Sequence, residues 1–239
     1  MAKGFTFKQF HVNDHGCGMP VSTDGVLLGA WATLTPRGPM LDIGCGSGLL
    51  ALMIAQRTQL DAPAAITAID IDTGAVTAAT LNFAASPWAE RLHAQHADLA
   101  AWTAQQPAAS FHSIVCNPPY FNSGEQAHCQ ARATARHTDS LSHATLLASL
   151  SHLLSEHGTA SLILPEYEGQ RLMAVAADHQ LYCTQVCEVR STATKPISRL
   201  LIALSHSPQT CEYSTLTIHE ADRYSAHFTA LTQDFYLKM

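Results

Sequence analysis

From residue 39 to residue 165, short apolar runs alternate with stretches of helical periodicity, and this alternation constrains the fold more than any other feature. "PMLDIG", "AAITAID", "RLHAQHAD", "SFHSIVCN" and "TASLILP" read as strands. "GLLALMIAQRT", "TGAVTAATLNFAA" and "SLSHATLLASLSHLLSEHG", the last closed by Gly158, read as helices. Strands separated by helices of that length belong to a parallel sheet with crossover helices. An earlier helix is expected over 24–34, with Asp24 near its start and Pro36 stopping it. Beyond it all lies a helix over 166–179, then "YCTQVCEVR" and "RLLIALSHS" with only the polar loop "STATKPIS" between them. Two strands without a helix between them imply an antiparallel edge. "YSTLTIHE" reads as a last strand and "YSAHFTALTQDFYL" as a terminal helix. No domain boundary is evident, so residues 1–239 are expected to form a single α/β domain.

The turn after the first of these strands is "LDIGCGSG", with Gly44, Gly46 and Gly48 leading into a helix. Glycines allow the backbone to approach a ligand closely and turn tightly. A dinucleotide enzyme spaces them GxGxxG; here the spacing is GxGxG, with Asp42 two residues ahead. This resembles the first motif of S-adenosylmethionine-dependent methyltransferases, whose loop lies under the methionine end of the cofactor. Asp70 ends the second strand, where a carboxylate can accept both ribose hydroxyls. It is preferred to Asp72 because it stands directly at the strand's end. Asp98 ends the third strand, placed to accept from an adenine amino group, with Leu99 adding backbone contacts. Open α/β sheets bind ligands at such strand ends.

The fourth strand ends in "NPPYF", residues 117–121. Proline cannot extend a sheet ladder, so the segment is stiffened for another purpose. An exocyclic amino group on adenine is a poor nucleophile because its lone pair is delocalised into the ring. The Asn117 side-chain oxygen and the Pro118 carbonyl can accept its two N–H groups and favour the positive charge that develops during attack. Pro118 and Pro119 preorganise these acceptors. Tyr120 offers a stacking face for the base and Phe121 a further wall.

The resemblance extends along the chain. "FTFKQFHV", "STDGVLLGAWA", "SPWAERL", "ARHTDSLSH", "KPISRLLIALS" and "DFYLKM", together with the two motifs, resemble the bacterial tRNA adenine N6-methyltransferases that modify valine tRNA at adenine 37, beside the anticodon. The resemblance implies a Rossmann-like class I methyltransferase fold, a mostly parallel seven-stranded sheet with an antiparallel edge and helices on both faces. It implies S-adenosylmethionine as cofactor, with Thr23 and Asp24 over its methionine end. It implies that residues 1–23 are a lid-like segment closing over the site, that 212–239 complete the domain, and that tRNA is the partner. Arg132, Arg136, and Lys195 and Arg199 in the 190–199 loop would face the RNA. His137 in "ARHTDS" is a further candidate for a phosphate contact. The chain departs from its relatives at Pro20, where a basic residue is usual, at Cys45 for a threonine, and at Asp70 for a longer glutamate.

Bulk properties bear on rival functions. The net charge of −6 argues mildly against nucleic acid, yet seven of the 13 Lys and Arg lie in three windows without an acid, so a basic patch can exist on an acidic protein. No apolar run approaches the roughly 18 residues of a membrane span. Seven scattered cysteines without a CxxC pair suit reduced thiols in the cytoplasm. His93 and His96 lie three apart on a strand and face opposite ways, so no metal is expected. A monomer is expected. DNA adenine methyltransferases carry a target-recognition domain, and the glutamine methyltransferases of release factors an N-terminal helical domain; neither is found here. A methyltransferase fold reduced to an inactive RNA-binding protein would not need Asp42, Asp70, Asp98 and Asn117 together. A nicotinamide dehydrogenase fails on the glycine spacing.

Overall fold

The structure is a computed structural model that describes residues 4–17, 20–59, 64–118 and 141–238. Of the residues singled out above, Pro119, Tyr120, Phe121, Arg132, Arg136 and His137 lie outside the described residues.

β1 (Gly4–Thr6) and β2 (His11–Asn13) pair as a small antiparallel hairpin. There follow α1 (Thr23–Trp31), β3 (Met40–Ile43), α2 (Leu49–Arg57), β4 (Ile66–Asp70) and α3 (Thr73–Ala84). Then come β5 (Leu92–His96), α4 (Leu99–Thr103) and β6 (Phe111–Cys116). The C-terminal part holds α5 (His143–Leu153), β7 (Leu154–Pro165), α6 (Glu166–Ala176), β8 (Tyr182–Thr192) and β9 (Ile197–Ser205). It closes with β10 (Glu212–Glu220), β11 (Arg223–Tyr224) and α7 (Ala226–Thr232).

The main sheet runs β11-β10-β8-β9-β7-β6-β3-β4-β5. It therefore has nine strands among the described residues, where seven were expected, because β10 and β11 are appended to one side. The margin is antiparallel as expected, β11 running against β10, and a second antiparallel strand lies further in. β9 runs against both β7 and β8, while β10 beyond them pairs parallel to β8. Side chains alternate cleanly across the pleat. Met40, Val115, Ile163 and Leu201 face a core shared with α1, α2, α3 and α7; Leu41, Ile114, Leu162 and Leu200 face the other, under α4, α5 and α6.

Side-chain caps start most helices. Ser22, Asp72, Asp98, Ser142 and Ser225 each accept a backbone N–H from the first turn of α1, α3, α4, α5 and α7. The expected helix over 24–34 stops at Trp31, because Ala32 turns to extended ψ. The helix expected to run to Gly158 stops at Leu153. Leu153 and Leu154 are both buried, and the chain enters β7 at once, with a looped-out irregularity opposite Phe111 and Ser113. Gly158 lies in that irregularity, close to the His112 carbonyl.

The two ends of the chain are tied together. Lys8 N–H donates to the Phe235 carbonyl at 2.8 Å, and Phe7 bridges to Tyr236. Phe7, Phe10 and Val12 are buried, so the hairpin is docked in the core. The Asn82 amide donates to the Asn13 and Ser47 carbonyls, joining the hairpin to the glycine loop.

Candidate active site

All the parallel strands end at one edge of the sheet, and the described residues singled out for the cofactor gather there. The loop 44–48 turns from β3 into α2 with positive φ at Gly44, Gly46 and Gly48. Gly44 and Cys45 N–H both donate to the Ile69 carbonyl, at 2.9 and 3.0 Å. Gly46 N–H donates to Asp70 Oδ2 at 2.8 Å. Asp70 Oδ1 accepts from Asp72 N–H at 2.9 Å. Asp70 thus holds the glycine loop against the end of β4, a role that sequence reasoning did not assign to it. Each carboxylate oxygen has a second lone pair for a ligand hydroxyl. Asp72, the competitor, is occupied as the cap of α3, accepting from Gly74 N–H at 2.7 Å.

Asp42 is fully buried under this loop. Its Oδ2 accepts from Ala51 N–H at 3.1 Å in α2, while Oδ1 has no hydrogen-bond partner among the described residues. Burial raises its pKa from 3.8 to about 7, the Ala51 bond opposes that rise, and the charge of Asp70 adds to it. Between these values the folded chain keeps a proton that the unfolded chain has released, so stability present at acid pH is lost as pH rises toward 7. Asp42→Asn should flatten this dependence, worth a few kcal/mol in all. Its melting temperature relative to wild type is expected to climb between about pH 4 and pH 7 by calorimetry and to level off above that; a constant difference would remove Asp42 as the cause.

Asp98 stands two residues past β5 and caps α4, accepting from Ala101 N–H at 2.9 Å. Leu99 opens α4 with its side chain buried. Asn117 follows Cys116, whose register is fixed by Ile43 of β3 on one side and Leu162 of β7 on the other. Asn117 is half-buried and Pro118 buried. Burial pushes the Cys45 and Cys116 thiols well up, so neither is a ready thiolate.

Thr23 and Asp24 open α1. The sequence pointed Asp24 at a cofactor and Arg199 at RNA; the structure pairs them, Arg199 Nε to Asp24 Oδ2 at 2.8 Å. Both line a cavity of about 270 Å³ with Ser198, His219, Tyr224 and Phe228. The last four were not anticipated; their only trace is the aromatic spacing Tyr224 to Phe228 in the C-terminal helix segment. Lys195 is exposed in the turn between β8 and β9, its N–H donating to the Thr192 carbonyl. His93 and His96 are both exposed, and His96 Nε2 lies 2.9 Å from the Ile71 carbonyl. Among the described residues, no three His, Cys, Asp or Glu side chains are grouped as metal ligands would be, and no helix is long and apolar enough to cross a membrane.

A nucleoside cofactor fits these residues. Among the described residues, a Cβ on Gly44 would meet nothing within 4 Å beyond its chain neighbours, so the loop is open there. The Asp70 carboxylate, tied to Gly46 N–H, stands at the same loop.

A glycine loop after β3, acids after β4 and β5 and an amide after β6, all at one edge, define a class I methyltransferase. Residues 25–142 match the Methyltransferase small domain family. Among solved structures, the chain resembles a predicted O-methyltransferase from Agrobacterium tumefaciens at 17% identity and TM-score 0.69, covering 89% of this chain and 96% of that one. It is 57% identical over the full length of both chains to a tRNA1(Val) (adenine(37)-N6)-methyltransferase of Photobacterium profundum. It is 51% identical to the protein of the same description from Vibrio cholerae, covering 99% of this chain and 96% of that one. The chain belongs to the tRNA1(Val) (adenine(37)-N6)-methyltransferase family.

Proposed function

We propose that this chain transfers a methyl group from S-adenosylmethionine to the exocyclic N6 of adenine 37 in a valine tRNA. The observation that carries the reading is the position of Asn117, held by β3 and β7 at the same sheet edge as the glycine loop and Asp70. The full-length relatives named above support the substrate.

The cofactor supplies a methyl group on a positively charged sulfur. Gly44, Gly46 and Gly48 cradle its methionine end, Asp70 receives the ribose hydroxyls, and Asp98 with the Leu99 backbone receives the adenine edge. Asn117 Oδ1 and the Pro118 carbonyl accept the N6–H groups of the target adenine. Tyr120 and Phe121 stack on and flank the base. Holding nitrogen, methyl and sulfur in line can supply roughly 7–11 kcal/mol of the barrier reduction. No strong base is required, since the proton leaves to water after attack. The hairpin at 4–13 is docked in the core through Phe7, Phe10 and Val12.

Nucleoside mass spectrometry of tRNA from a strain lacking the gene tests this. N6-methyladenine is expected to vanish from one tRNA and to return when purified protein and S-adenosylmethionine are added. Unchanged N6-methyladenine overturns the reading. Charge reversal at Arg132, Arg136 and Lys195 is expected to weaken tRNA binding and reduce its salt slope by about 0.7 per lost single-strand phosphate contact. An unchanged slope places the RNA elsewhere.

A further inference from the structure

We propose that the cavity between α1 and the β10–β11 hairpin binds a second, unstacked base of the RNA, a short way along the strand from the target adenine. This rests on the proposed tRNA methylation. The cavity lies at the same edge of the sheet as Asn117. Arg199, on its wall, pairs with Pro165 at the carboxyl end of β7, next to β6. The other sheet walls come from β8, β10 and β11, so the cavity lies two to five strands from Asn117, roughly 10–24 Å at ordinary strand spacing. A short unpaired run of RNA covers that distance.

The walls suit a flat, polar, uncharged ligand. Tyr224 stacks on Phe228 at 4.7 Å between centroids, and His219 on Tyr224 at 5.1 Å. This column of rings is anchored in the core at Phe228 and ends in solvent, where His219 is exposed and Tyr224 is 43% exposed. Its outermost ring, His219, offers a face on which any base can stack, and Tyr224 backs that ring from behind. Ser198 and Thr23 line the same cavity, the Ser198 hydroxyl donating to the Val189 carbonyl at 3.3 Å. Arg199 and Asp24 neutralise each other, and Glu220 and Asp222 flank the hairpin, so the cavity disfavours a phosphate. At about 270 Å³ it is just below the roughly 300 Å³ where sites for drug-sized ligands begin, which suits one base. The exposed Lys195 and Arg223 stand nearby, in the turn beside β10 and on β11, for the phosphates on either side. The strands that exceed the seven of the basic fold thus build a site for reading the RNA.

The test uses the full chain with a valine tRNA transcript, wild type against Tyr224→Leu and Tyr224→Phe, after melting curves show that each variant is folded. Tyr224→Leu, which keeps an apolar contact but no ring, is expected to raise the tRNA KM at least about fivefold, leaving the dissociation constant of S-adenosylmethionine unchanged. Tyr224→Phe, which keeps the ring, restores the KM. Abasic nucleotides placed one at a time around the target identify the base. At one position the abasic substitution raises the wild-type KM as Tyr224→Leu does, and adds nothing in that variant. A wild-type chain that methylates no tRNA sinks the parent reading and this one together. A wild-type chain that methylates, with a tRNA KM indifferent to Tyr224→Leu, sinks this proposal alone. A changed affinity for S-adenosylmethionine assigns the cavity to the cofactor and overturns the proposal as well.

Discussion

Asn117→Ala is expected to lower the rate of methyl transfer by about 10²–10³-fold or more while the protein still binds S-adenosylmethionine. Asn117 stands at the end of β6, the strand whose neighbours on both sides are fixed in register through Cys116. Alanine there removes the side-chain acceptor and leaves the Pro118 carbonyl as the other. The nitrogen then loses one of the two contacts that strengthen as positive charge develops on it. The glycine loop is held separately, by Ile69 and Asp70 of β4, so cofactor affinity should stay near that of wild type. Asn117→Asp keeps an oxygen acceptor and is expected to retain more activity than alanine. Single-turnover rates with tRNA, alongside calorimetry with the cofactor, separate the two effects. Near-normal turnover in Asn117→Ala would sink the mechanism; loss of cofactor binding would move Asn117 to the cofactor's side of the site.

The strand–helix alternation was legible because each crossover repeats the same local physics. A buried apolar strand ends in a polar or glycine turn, and a capped helix follows. The glycine loop and Asn117 were legible for a related reason, since their residue types make sense only at strand ends. What escaped the sequence depends on pairing between distant segments. The hairpin at residues 4–13 has no amphipathic period long enough to read; it is fixed by Phe7 and Lys8 meeting Tyr236 and Phe235. β11 has two residues and exists only against β10. The end of α5 was misplaced because "LSEHG" continues a helical composition, while the nearby strand β6 draws Leu154 into the sheet opposite Phe111. Asp70 as a tie for the glycine loop and Asp24 as the partner of Arg199 are likewise long-range facts, separated by 24 and 175 residues.

Gly44→Ala and Gly48→Ala should fail in different ways, although they change the same loop by the same methyl group. Both glycines have positive φ, +71° and +86°, so alanine at either costs about 1–2 kcal/mol in backbone strain. Beyond that the sites diverge. At Gly48 the new Cβ would lie 2.5 Å from Phe83 Cε1 and 3.3 Å from Ala79 Cβ, inside a packed core. Forcing that core apart adds roughly 1–3 kcal/mol, so Gly48→Ala is expected to lose several degrees of melting temperature. At Gly44 the Cβ meets none of the described residues within 4 Å beyond its chain neighbours, and stability should fall by the strain alone. The space it enters is the opening at the glycine loop, near Gly46 and its Asp70 tie, where the cofactor's methionine end is expected. Gly44→Ala is therefore expected to weaken S-adenosylmethionine binding by more than about tenfold, a loss of roughly 1.4 kcal/mol or more, out of proportion to its melting temperature. Calorimetric titration on both variants, with melting curves in the same buffer, reads the contrast. If Gly44→Ala binds the cofactor as wild type does, the space in front of the loop is not the cofactor's, and the site must be redrawn around Asp70 and Asp98 without it.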